Sequence, residues 1–171
     1  MVPTLWLMTD ERLGDGPWEA LRRLPRGSGV VFRHYATPAP ERRALFRRVM
    51  RVARARGLLV LVAGDTVGAG AAGRHNARGR GLRSAAAHDR REAVAALRRG
   101  ADVLFVSPVF ATRSHPGCTA LGARQARRVA QGMPVVRIAL GGMDEKRFRT
   151  LAGFDGWAGI DAWSPRGRGA E

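Results

Sequence analysis

Short apolar runs alternate with segments of helical spacing along this chain, and that alternation predicts repeated strand–helix units. Leu5–Met8, Gly29–Phe32, 58–62, Leu82–Ala87, Val103–Val106, 134–140 and 157–160 are strand candidates, and a minimal fourth strand fits at 73–76, which makes eight. The third, Leu-Leu-Val-Leu-Val, is apolar throughout, as expected of a strand covered on both faces. Between the runs, 18–24, 40–56, 89–99, 121–131 and 144–151 carry helical patterns. The segment 40–56 has Pro40 in its first turn and Gly57 beyond its end. Leu45, Val49 and Val52 fall on one face of it, and Arg43, Arg47, Arg51 and Arg54 on another. In the segment 89–99, Asp89 is suited to cap the start, with Glu92 as its capping-box partner and Gly100 at the stop.

Eight strands interleaved with helices is the count of a (β/α)8 TIM barrel. At 171 residues such a barrel is compact, against the ~250 residues that are usual. The shortening is expected around 65–81, where glycines 64, 68, 70, 73, 79 and 81 leave little room for a full helix. A single domain over 1–163 and a flexible tail over 164–171 are therefore predicted.

Charge changes the picture more than composition does. The formal net charge is +16, and of the 30 basic residues Lys146 alone is lysine. Such a balance attracts phosphates on small molecules, nucleic acid or membranes, or else reflects arginines spread over solvated helix faces. The arginines run from Arg12 to Arg168 without forming one arm, and no helix-turn-helix, zinc or RNA-recognition signature is present. Nucleic acid is accordingly not the expected partner. No apolar run approaches the ~18 residues of a membrane span, and the start lacks the basic-then-apolar order of a secretory signal. Cys118 is the single cysteine, so no internal disulfide can form, and a reducing cytoplasm is the expected location.

Five stretches carry a resemblance. Gly100-Ala101-Asp102-Val103-Leu104-Phe105-Val106-Ser107-Pro108-Val109-Phe110-Ala111-Thr112 resembles the sixth-strand signature of the thiamine phosphate synthase/TenI family, gly-ala-asp-tyr, an apolar run, then gly-pro-val/ile-phe/tyr-x-thr. Leu5-Trp6-Leu7-Met8-Thr9-Asp10 resembles its opening leu-tyr-leu-val-thr-asp. His88 stands where the fifth strand ends in ser/ala-x-his, Ala139-Leu140-Gly141-Gly142-Met143 resembles ala-ile-gly-gly-ile/met, and Gly153-Phe154-Asp155-Gly156-Trp157-Ala158 resembles gly-ala-asp-gly-val-ala. The five occur in the family's order.

The resemblance implies a cytoplasmic barrel of thiamine biosynthesis that takes a small phosphorylated substrate. One branch of the family couples a pyrimidine diphosphate to a thiazole phosphate with Mg²⁺ and loss of pyrophosphate; the TenI branch shifts a proton on the thiazole. On this chain, Gly141 and Gly142 would bind phosphate, and Thr112 and Ser114 would lend hydroxyls to it, with His115 where the family has lysine. Arg33 matches the arginine of a gln-x-arg-x-lys diphosphate clamp whose other positions are Val31 and Tyr35. Asp65 matches one Mg²⁺ ligand, whereas the segment 73–80 lacks the second carboxylate, so the metal site departs from the family's. Arg74, Arg78 and Arg80 offer positive charge there instead.

His88 is the candidate acid/base, with a packing or capping role as the alternative. The residues named as catalytic are thus His88 and Arg33. A noncatalytic phosphate-binding or regulatory relative on the same barrel, a basic nucleic-acid binder and a homodimer are the other outcomes the sequence leaves open.

Overall fold

In the computed structural model, residues 1–14, 16–64, 69–112 and 119–163 are described. Eight parallel strands close into a barrel in chain order: β1 (Leu5–Met8), β2 (Gly29–Phe32), β3 (Leu59–Ala63), β4 (Gly73–His75), β5 (Leu82–Ala87), β6 (Val103–Val106), β7 (Val136–Leu140) and β8 (Gly156–Gly159). The closing contact pairs Trp6 of β1 with Ala158 of β8. The helices are α1 (Trp18–Arg23), α2 (Ala39–Arg56), α3 (Arg90–Arg98), α4 (Gly122–Ala130) and α5 (Glu145–Arg149), with a 3-10 turn at Glu11–Leu13.

Strand alternation sends one set of side chains into the barrel and the other toward the helices. Trp6, Met8, Val31, Leu61, Val103, Phe105, Ile138 and Ala158 pack together inside. Trp6 meets Phe105 edge-on with ring centroids 5.4 Å apart. Gly29 makes room for that indole: a Cβ there would lie 2.1 Å from Trp6 Cε3. Outside, α2 covers β2 and β3 while α3 and α4 cover β5 to β7.

The sequence expectations hold for the strand count and for the shortened region. Among the described residues, no helix lies between β3 and β4 or between β4 and β5. β4 ends at His75 instead of 76, because Asn76 turns into the left-handed region at φ 53° and its side chain accepts from Ala86 N. The tail 164–171 lies outside the described residues.

The buried stripe of α2 is Arg42, Phe46, Val49, Met50 and Ala53, one step around the helix from the Leu45–Val49–Val52 face expected. Leu45 and Val52 flank this stripe. Arg42 explains the rotation. Its guanidinium donates to the carbonyls of Arg33 and Ala63, at 2.8 and 2.5 Å, so it binds the ends of β2 and β3 from beneath. Arg43, Arg47, Arg51 and Arg54 lie exposed on the far side of the helix.

Candidate functional site

The C-terminal ends of the strands form a cavity of about 120 Å³. Its wall includes Arg33 after β2, His88 after β5, Thr112 after β6, Gly141 and Gly142 after β7, and Ile160 after β8. Five of the residues singled out by sequence therefore meet in one place, at the end of a barrel where loops gather chemistry. Asp65 and Ser114 lie outside the described residues, as does His115.

Cavity residues other than Arg33 come from the β5–β8 side. Pro108, Leu140, Met143 and Ile160 make that wall apolar, while Ser107 adds a hydroxyl. Gly141 sits at φ 96°, and a Cβ on it would come within 2.7 Å of Pro108 Cα. The β7 turn is thus pressed against the β6 loop, with Val109 N and Phe110 N donating to the carbonyls of Leu140 and Gly141. Arg147 braces the same turn, donating to the Gly142 carbonyl while its guanidinium lies over the Phe110 ring.

Arg33 is only 16% exposed at its side chain and is already engaged: it pairs with Asp10 at 2.8 Å and donates to the Thr9 carbonyl at 3.1 Å. Burial lowers its pKa and the Asp10 charge raises it again; the guanidinium stays charged. Asp10 also receives Arg12 at 3.0 Å. Thr9 Oγ1 completes the arrangement, accepting from Arg33 N and sharing a hydrogen bond with buried His34. Desolvation holds His34 below the ordinary histidine value.

His88 is exposed, and its Nδ1 lies 2.8 Å from Glu92 Oε2. His75 has the opposite setting. It points into the barrel, bonds to Ser84 Oγ at 2.9 Å and meets Phe105 edge-on; desolvation takes its pKa down to about 4. A buried neutral histidine is a packing element here.

Three arginines proposed to replace lost charge do not gather at the cavity. Arg74 donates to the Gly64 carbonyl, Arg78 lines a groove beyond β5, and Arg80 is exposed. The two aspartates of the gly-ala-asp and gly-phe-asp motifs also serve elsewhere. Asp102 accepts from Arg83 N, and Asp155 binds Arg137 through both carboxylate oxygens, at the start of the strands. Sequence reasoning missed these bracing roles and the Asp10–Arg33 pair. The Glu92–His88 bond did have a signal, the i,i+4 spacing.

Residues 84–163 match the family model described as Thiamine monophosphate synthase. Over that stretch, just under half of its length, the chain is similar to the thiamine phosphate synthase/TenI family. A thiamine-phosphate synthase from Chloroflexus aurantiacus is 36% identical over 87 residues, which are 49% of this chain and 40% of that relative. This chain therefore spans well under two thirds of that relative's length. Among solved structures, a thiamine phosphate pyrophosphorylase from Pyrococcus furiosus superposes with a TM-score of 0.78 at 21% identity, over 93% of this chain and 86% of that one. An HpcH/HpaI aldolase from Desulfitobacterium hafniense gives 0.52 at 15% identity, over 91% and 85%. These two likenesses support the barrel alone. The family match covers the half of the barrel that supplies the cavity wall, Arg33 excepted.

The donor set does not suit Mg²⁺ among the described residues. No group of three or more His, Cys, Asp or Glu side chains could hold an ion there, and Asp10 is occupied by two guanidinium groups. Among the described residues no helix is long and apolar enough to cross a membrane.

Proposed function

We propose that this chain binds a heterocycle carrying one phosphate, of the thiazole phosphate kind used in thiamine biosynthesis, and shifts a proton on it. The observation carrying this reading is that His88 shares one largely apolar cavity with the Gly141–Gly142 turn. A flat ring suits the walls of Pro108, Leu140, Met143 and Ile160. Its phosphate lies against the Gly141–Gly142 turn, and Thr112 stands at the same rim. His88 then takes a proton from one ring position and returns it to another, a role that suits an imidazole near neutral pH.

Coupling to a pyrimidine diphosphate asks for more charge than the described residues of the cavity bring together. The leaving pyrophosphate requires cations aimed at it. Val31 and Tyr35 replace two clamp positions, Arg33 is held by Asp10, and Arg74 is turned to Gly64. No step is therefore drawn through Mg²⁺.

The test supplies thiazole phosphate alone to the purified protein in D₂O and follows ring protons by NMR, with and without Mg²⁺. Exchange or migration that is indifferent to Mg²⁺ and lost in His88→Ala is expected. Brisk Mg²⁺-dependent release of pyrophosphate once the pyrimidine diphosphate is added would overturn the reading.

A further inference from the structure

We propose that Glu92 is a positioning residue for His88, fixing the imidazole so that Nε2 is the nitrogen left to accept a proton in the cavity. The inference deepens the proton-shift reading and rests on it for its chemistry, though not for its geometry.

The geometry begins at the start of α3. Asp89 caps the helix by accepting from Glu92 N at 2.7 Å. In an ordinary capping box the Glu92 carboxylate would return to the backbone N–H of Asp89. It reaches one residue further back. Oε2 accepts from His88 N at 2.8 Å, and the same oxygen lies 2.8 Å from His88 Nδ1. One oxygen thus ties both the backbone and the ring of His88, which leaves the imidazole little freedom to turn.

The chemistry follows from the partner. An ionised carboxylate only accepts, so Nδ1 must carry the proton and the neutral ring keeps its lone pair on Nε2. The Glu92 carboxyl is held below its ordinary value, first by the His88 backbone N–H and then by the ring, against partial burial and, to a smaller extent, the charge of Asp89. It is therefore ionised at neutral pH. Placement agrees with this division. His88 lines both the cavity and the groove outside β5, whereas Glu92 lines only the groove, so the carboxylate stands behind the ring as seen from the cavity. A carboxylate behind an imidazole also stabilises the cation that forms when Nε2 takes a proton.

The experiment reads ¹⁵N imidazole shifts at alkaline pH, with His88 assigned among the four histidines by its loss in His88→Gln. The wild-type protein should show His88 protonated at Nδ1. Glu92→Gln keeps an acceptor oxygen for His88 N but removes the charge; it should shift the ring toward a mixture of tautomers. In the same variant kcat for the proton shift should fall by roughly 10²-fold, the size of one acid–base contribution, with KM within about twofold. A wild-type ring protonated at Nε2 overturns the proposal without any variant, as does an unchanged tautomer in Glu92→Gln. A Nδ1-protonated ring that responds to Glu92→Gln, in a protein that shifts no thiazole proton, supports the positioning and refutes the reaction instead.

Discussion

Arg33 and Asp10, 23 residues apart in sequence, form an ion pair 2.8 Å long at the mouth of the barrel. The pair holds the Arg33 guanidinium against the cavity wall. Asp10→Asn should remove the charge that holds that guanidinium, leaving its bond to the Thr9 carbonyl. Affinity for inorganic phosphate should then rise about fivefold, the effect of removing roughly 1 kcal/mol of competing attraction. Titration calorimetry at low salt decides the matter, and equal affinity in the two proteins would show that Arg33 does not face the anion.

Gly142 takes φ 58°, and a Cβ there would stand 2.5 Å from the Ala111 carbonyl oxygen. Gly142→Val must therefore push the β7 turn away from the β6 loop. The backbone strain should cost on the order of 1–3 kcal/mol of stability, and affinity for thiazole phosphate should drop by tenfold or more. Thermal unfolding and calorimetry on one preparation separate the two effects. Full retention of affinity would remove the turn from the site.

Arg42 ties α2 to the ends of β2 and β3 through the carbonyls of Arg33 and Ala63. Arg42→Met fills similar volume but leaves both carbonyls without this donor. A loss of about 2–4 kcal/mol is expected in urea unfolding, since buried acceptors left unmade cost more than an average hydrogen bond contributes. A change below 0.5 kcal/mol, the range of ordinary surface substitutions, would mean that water replaces the guanidinium freely.

Acid should destabilise the fold through His75. Its folded value lies at about 4, depressed from 6.5, so the neutral ring is the folded form. The stability this gives is complete above 6.5, and it is lost progressively as pH falls toward 4. The full effect corresponds to about 3 kcal/mol. His34, also depressed, acts in the same direction. Denaturant unfolding between pH 7 and 5 isolates the histidines, because the lowered carboxyls of Glu11, Glu92 and Asp155 titrate below that window. His75→Gln should flatten the slope, and a slope that is the same in both proteins would assign the loss elsewhere.

Much of the barrel was legible because its signals are local. Gly29–Phe32 and Val103–Val106 are apolar runs, and they form strands with those bounds. Asp89 and Glu92 announced the start of α3 in the same way. Contacts between distant elements leave no such trace. Nothing around Arg42 marks it as buried, since the carbonyls that attract it belong to two other strands. The Asp10–Arg33 pair depends on β1 and β2 lying in register, Met8 against Val31. Family likeness supplied the position of Arg33 but not its partner Asp10.

Trp163 closes the described chain with a bond back to its beginning. Its indole stacks on Trp157 at 4.9 Å, with the rings 2° from parallel, and donates to the Trp6 carbonyl at 3.0 Å. The last strand and the first are latched by the same side chain, so opening the seam between β8 and β1 must part the two indoles. The chain thus carries its own optical gauge of ring closure. In a Trp18→Phe variant, which removes the indole on α1, tryptophan emission will report the seam separately from the helices, and a denaturant midpoint read by fluorescence that precedes the one read by far-ultraviolet dichroism would locate the first breach at that joint.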